Sequence, residues 1–380
     1  MNCPPLALLR IVIWLKRRFV ETCFSLFLLI LMGFSCFAQD PTFSQYNLNQ
    51  YYFNPAYTGA DGGYHMAVTY RNLWPNVPGR VFPGALSTYY AVADAYFKKG
   101  NSYTAGAGIF AMQDVEGEGY LTTSTFGLSY AQHFLKIGSK TDELPRLQLS
   151  VGFKAYFNSI SVNWDKLVFS DQVNIQQGIA GQSASDHTGI RRKYTADLDA
   201  GLLVKNNFRG EDRWYNEFGF ALAHILNPSM SLTNSNTDES RIPRKYVASY
   251  RSSIALGGRR FYIGPTILFE NQKQFYELNT GVDLFINPNP SSEIIPLCFS
   301  LLNRWSFMQG AYNTNALIAE VRYKGATGKN KRTVYNIGFS ADIPYTGLAI
   351  QTKGAYEISL AIIFPSKGSN RFSKCPFGTF

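Results

Sequence analysis

"LQLSVGFKAYF" (residues 147–157) sets Leu147, Leu149, Val151, Phe153, Ala155 and Phe157 in strict turn against Gln148, Ser150, Gly152, Lys154 and Tyr156. A helix would gather like residues at 3.6-residue spacing. A period of two is that of a strand with one apolar and one polar face. The alternation returns in "YTADLDAGLLV" (194–204) and "YELNTGVDLFI" (276–286). Working outward, fourteen such runs stand near 64–71, 84–95, 101–112, 120–135, 146–159, 194–205, 213–226, 244–255, 260–270, 274–286, 294–302, 312–324, 333–342 and 354–364. No helix of consequence and no domain linker interrupts them.

The connections decide how these strands are arranged. The odd-numbered ones are generally longer and include 160–193 and 227–243, whereas the even-numbered ones are turn-like, among them "FKKGN", "LGGR" and "GATGKNKR". Long and short connections alternating on an even-stranded meander are the pattern of an outer-membrane barrel. Strands of about ten residues also match the ~9–11 that a tilted strand needs to cross the hydrocarbon. Two connections break the trend: 136–145 is long for a turn and 271–273 is short for an outer loop. The predicted fold is all-β, a single transmembrane antiparallel up-and-down β-barrel over 64–364, multi-pass in the cell outer membrane. Asp197, Asp199, Glu277 and Asp283 then line a lumen while the aliphatic rows meet lipid. Tyr64, Tyr70, Tyr120, Phe134, Tyr246, Phe269 and Phe364 fit interfacial girdles. A soluble sandwich or propeller also alternates, but a chain 15 % aromatic and only 16 % charged carries less charge than such a molecule usually does.

Residues 1–38 read as an export signal: Arg10, Lys16, Arg17 and Arg18, then the apolar core Phe24–Phe34, then small residues before Gln39. That core is short for a bilayer-spanning helix, which needs about 20 residues. The residues before Cys36 fit a lipobox poorly. Without its signal the chain keeps about +7 of the formal +10, with Lys and Arg scattered, which argues against a nucleic-acid partner. Cys298 and Cys375 remain and read as unpaired. The histidines at 65, 133, 187 and 224 show no metal-ligand spacing.

Several motifs look chemical. "GAGIFA" (106–111) has dinucleotide-loop spacing, but a turn and not a helix follows it, so small residues facing a lumen explain it better. Ser129 and His133 lie on one face of an alternating run, without an acid partner or the strand–helix elbow of a hydrolase. No catalytic constellation results. More distinctive is "QYNLNQYYFNPAYTG" (45–59), which holds Tyr46, Tyr51, Tyr52 and Phe53 and is broken by the turn dipeptides Asn54-Pro55 and Thr58-Gly59. It reads as neither strand nor helix. With an even strand count, segment 39–63 begins on the periplasmic side, there to plug the lumen or dock a partner. Loop 71–83 offers Arg71 and Trp74, and loop 160–193 offers Trp164 and Phe169, as interface anchors or plug residues. Residues 365–380 read as a periplasmic tail.

"FSQYNLNQYYFNPAYTG" (43–59), "YRNLWP" (70–75), "NWDKLVFSDQ" (163–172), "IPRKY" (242–246) and "GAYEISL" (354–360), with the tail "SKCPFGTF" (373–380), fall in the order and spacing of one family. The chain resembles the PorP/SprF outer-membrane proteins of the type IX secretion system of Bacteroidetes. Leu73 departs from the pattern, which has a polar residue after the Arg-Asn pair. The resemblance implies a non-enzymatic barrel without cofactor that assists export or surface attachment of proteins bearing a C-terminal sorting domain, in some members tied to gliding motility. Its partners would be other secretion-system subunits, those exported proteins and outer-membrane lipid. From the residues alone, a porin-like solute channel is the alternative.

Overall fold

The computed structural model describes residues 40–365 apart from 76–85, 100–102, 118, 138–146, 165–166, 168–172, 175–177, 180–191, 209–213, 233–239, 290–294, 309–314, 328–332 and 347–352. In chain order the strands are β1 (Gly63–Leu73), β2 (Leu86–Lys99), β3 (Tyr103–Glu116), β4 (Leu121–Ile137), β5 (Leu147–Ser161), β6 (Arg192–Phe208) and β7 (Trp214–Ala223). They continue as β8 (Lys245–Leu256), β9 (Phe261–Gln272), β10 (Phe275–Ile286), β11 (Leu297–Met308), β12 (Ala316–Thr327), β13 (Thr333–Pro344) and β14 (Ala355–Pro365). Each pairs antiparallel with the next, and β14 returns to β1, from Gly63↔Pro365 to Leu73↔Ala355, closing the barrel. A two-residue ribbon, Val173–Asn174 with Gly178–Ile179, stands apart in the β5–β6 connection.

The fourteen-stranded up-and-down barrel anticipated from the alternation is the observed fold. Its burial is inside-out. On β5, Phe153 and Phe157 are 55 % and 70 % exposed on the outside, while Ser150 and Lys154 beside them are 0 % and 7 % exposed within. With no water in the hydrocarbon, closure satisfies every ladder hydrogen bond and leaves no sheet edge. No helix among the described residues is long and apolar enough to cross a membrane. The three longest connections, after β1, β5 and β7, lie at one end of the barrel, here the loop end. The opposite end, where β1 begins, is the turn end. There the "LGGR" turn between β8 and β9 takes Gly257 and Gly258 through φ of 56° and 66°, which residues with a Cβ rarely adopt.

Residues 40–62 run inside this cylinder. The segment holds a one-turn helix, α1 (Gln50–Phe53), and a 3-10 turn over Pro55–Tyr57, which corrects the expectation of neither strand nor helix. Asn54 starts the 3-10 turn by accepting from the Ala56 N–H at 2.9 Å, and Pro55 supplies the fixed φ of a first position. The direction is a second correction. The even strand count places the start of the segment at the end where β1 begins; instead Asp40 sits at the loop end, beside His224, Lys245 and Gln272. The chain descends the full lumen before entering β1. Parity fixes which end β1 starts from, but says nothing about how the preceding chain reaches it.

Candidate functional site

The interior of the barrel is a second core built around this threaded segment. Phe43, Tyr46, Leu48, Tyr51, Phe53, Ala56 and Tyr57 are buried against wall residues Tyr90, Val92, Phe110, Tyr156, Leu203, Val247 and Leu268. Phe43 meets the edge of Tyr52 at a centroid distance of 4.8 Å, and Tyr46 meets Phe53 at 5.3 Å. Such pairs add about 0.5–1.5 kcal/mol each beyond their burial. The wall makes room with glycine. A Cβ on Gly106 would stand 2.1 Å from the Thr58 carbonyl oxygen, and one on Gly152 would stand 2.4 Å from the Ala56 nitrogen. The glycine of "GAGIFA" therefore admits a backbone, not a phosphate.

Ion-paired clusters pin the segment at several heights. Near the loop end the Glu357 carboxylate accepts from the Ser44 N–H at 2.8 Å, the Gln45 N–H at 3.2 Å, Asn49 Nδ2 at 2.8 Å and Arg71 Nη1 at 3.2 Å. Arg71 also donates to Ser44 Oγ at 2.5 Å and to Asp342 at 2.9 Å. Arg304 completes the group, reaching Asp342 at 2.6 Å, Ser44 Oγ at 3.0 Å and Glu277 at 3.1 Å. Across the lumen, Arg251 pairs with Glu217 and donates to Asn47, the Tyr57 hydroxyl donates to Glu217, and the guanidinium lies over the Tyr46 ring.

Each of the three described histidines serves the segment. His224 lies between Asp197 at 2.7 Å and Asp40 at 2.8 Å. Burial opposes the charged imidazole, but these acids outweigh it and raise its pKa to about 10. Burial likewise opposes the Asp40 carboxylate, yet His224 and Lys245 hold it far below the usual carboxylate range. His133 spans Ser150 at 2.7 Å and the Thr58 carbonyl at 3.1 Å, so its ring nitrogens bind the plug and the wall instead of arming Ser129. His65 stacks on Tyr51 at 4.7 Å and contacts Asp94 at 2.9 Å, whose other oxygen accepts from the Gly59 N–H.

Residues 35–362 match the family described as type IX secretion system membrane protein PorP/SprF. The chain belongs to this family. As a PorP/SprF chain it is a secretion-system membrane barrel of the outer-membrane type, not a member of a known enzyme class. A comparison with curated proteins returns no match. Among solved structures it is similar to the CymD monoaromatic hydrocarbon channel, with a TM-score of 0.47, 11 % identity, and coverage of 84 % of this chain and 93 % of that one. It is also similar to a Pseudomonas aeruginosa FadL homologue, with a TM-score of 0.43, 10 % identity, and coverage of 87 % and 95 %. The P. putida toluene transporter TodX gives a TM-score of 0.42 at 8 % identity, covering 83 % and 93 %.

The PorP/SprF barrel gathers some sequence-derived candidates and separates others. Tyr46, Tyr51, Tyr52 and Phe53 all lie in the lumen. Asp199 pairs with Lys154 at 3.0 Å, Asp197 with His224, Glu277 with Arg304, and Asp283 with Arg322 at 3.4 Å, all facing inward. Arg71, offered with loop 71–83 as an interface anchor or plug residue, stands on β1, which runs on to Leu73, with its guanidinium buried. The inward parity of His65, Ala67 and Thr69 extends to it, a signal that the adjacent Trp and Pro residues obscured. Trp74 follows the strand at φ 54°, half-buried at the mouth, its N–H donating to Gly354 at 2.7 Å. Trp164 is half-buried in the β5–β6 connection, and Phe169 lies outside the described residues. Reading the sequence missed Glu357, Asp342, Arg304, Arg251 and Glu217. Their only local sign is a charge on the polar row of an otherwise apolar strand.

Proposed function

We propose that the chain is a closed, non-enzymatic outer-membrane adaptor of the type IX secretion system, assisting export or surface attachment of proteins that bear a sorting domain, gliding adhesins among them. The observation that carries this reading is the lumen filled by residues 40–62 and held by buried ion pairs, which leaves little continuous path for solute. The loop end faces the exterior, as long loops do in such barrels, and the turn end faces the periplasm. Tyr46, Tyr51, Tyr52, Phe53 and Arg71 act as plug and plug anchor. Trp74 belongs to the outer mouth, and the segments around Trp164 and Phe169 are surfaces for partners.

The test is a gene deletion read by surface proteomics, alongside planar-bilayer conductance of the pure barrel with and without residues 40–58. An adaptor loses sorting-domain proteins from the surface on deletion, and its barrel conducts only once the segment is removed. Unchanged surface proteins with reduced solute uptake, and a wild-type barrel that already conducts, would replace this reading with a porin-like channel.

A further inference from the structure

Every strand seam but one joins strands that are consecutive in the chain, whose own connection helps to set the register. The exception is β1 with β14, which closes the barrel. Across it Thr69 meets Ser359 at |i−j| of 290, and Arg71 meets Glu357 at |i−j| of 286. No turn fixes this register, and the lipid face does not fix it either. Met66, Val68 and Tyr70 on β1 and Ile358, Leu360 and Ile362 on β14 all face outward, so a slip by two residues still sets apolar against apolar.

The inner face does distinguish the register. Arg71 stands opposite Glu357 and Thr69 opposite Ser359; a slip by two would set Arg71 against Ala355 or Ser359. The lumen segment grips both native pairs. Asn49 accepts from Thr69 Oγ1 at 2.7 Å and donates to Glu357 at 2.8 Å, so one side chain spans the seam. Gln45 Nε2 donates to the Glu357 backbone carbonyl at 2.8 Å, and Thr69 accepts from Ser359 Oγ at 2.8 Å. Ala67 and Ala361, the next inward pair, are buried with Leu48 and Tyr51.

The two sides of this grip differ in sequence distance. Asn49 lies 20 residues from Thr69 and Ser44 lies 27 from Arg71, whereas the same two residues lie 308 and 313 from Glu357. Contacts with β1 close short loops at low entropic cost; those with β14 close nearly the whole chain.

We propose that residues 40–62 are a closure template: they settle on β1 first, and Ser44, Gln45 and Asn49 then capture Glu357, bringing β14 to β1 in its native register. Four donors converge on that carboxylate, and a slip by two residues moves it about 7 Å along the strand, out of their reach. The template acts during closing. Once formed, the ladder from Gly63↔Pro365 to Leu73↔Ala355 holds the seam. This role does not depend on the adaptor reading.

The test follows refolding of the urea-unfolded full-length chain into lipid vesicles, read by heat-modifiable gel mobility, in two variants. S44A/N49L removes the side-chain contacts to Arg71, Thr69 and Glu357. N54L makes the same Asn-to-Leu change at a site that bonds the Leu202 and Phe220 carbonyls, on the consecutive strands β6 and β7. S44A/N49L closes at least about tenfold more slowly than wild type, because contacts made in the closing step slow folding when removed. N54L closes at the wild-type rate. In the products, NMR of the deuterated protein reads the seam: wild type shows the Val68–Leu360 amide contact, and S44A/N49L adds contacts from Val68 to Ile358 or Ile362. Should S44A/N49L not close at all, N49L against N54L carries the test. A wild-type closing rate in the seam variant, equal slowing in N54L, or a slow product wholly in the native register overturns the proposal.

Discussion

Replacing Glu357 by glutamine tests most directly how the lumen segment is held. One carboxylate oxygen accepts from the Gln45 N–H and Asn49 Nδ2, and the other accepts from the Ser44 N–H and Arg71 Nη1. Glutamine has nearly the same shape, yet whichever position its NH₂ takes, two donors then face a donor. Each buried donor left unpaired costs about 1–3 kcal/mol, so the segment loses about 2–6 kcal/mol of retention. Arg71 keeps Asp342 at 2.9 Å, and the strand ladders on either side are untouched, so the barrel itself survives. At about 3 kcal/mol the open population rises roughly a hundredfold. Hydrogen exchange of the purified protein in micelles reads this residue by residue. The Ser44 and Gln45 amides exchange about a hundredfold faster in E357Q, while amides of β5 and β6 do not change. If the two amides exchange at wild-type rates, or if the whole barrel loosens with them, the carboxylate is not what holds the segment and the reasoning fails.

Three other perturbations probe the same assembly. Gly106→Val drives a side chain into the Thr58 carbonyl at 2.1 Å; the expected outcome is a folded barrel with measurable conductance, and a silent bilayer trace would refute the tight fit. His224 has a folded pKa raised to about 10 from 6.5, so its contribution is complete below about pH 6.5 and is lost as pH rises through about 10. Wild-type conductance should therefore begin above about pH 10, and in H224Q the pH dependence should vanish. An epitope inserted just before Asp40 should be labelled by antibody on intact cells, because Asp40 lies at the loop end; labelling only after permeabilisation would reverse the threading direction.

Short-range pattern determined most of the barrel. Period-two alternation in β5, β6 and β10 states which residues share a face, and connection lengths state which end each hairpin occupies, because both are properties of neighbouring residues. The membrane inverts the usual rule: Phe157 faces out and Lys154 faces in, and the same pattern tells both. The Tyr- and Asn-rich composition of residues 45–59 already suited a place beside lumenal acids and amides. What only the tertiary structure decided was the matching of partners. Glu357 meets Ser44 more than three hundred residues away (|i−j| of 313), and Asn54 reaches the carbonyl of Leu202 (|i−j| of 148). Nothing local distinguishes those acids and amides from any others on a polar row. The direction in which the segment descends is set the same way, by the sum of contacts between elements far apart in the chain, and a closed cylinder is what brings them together.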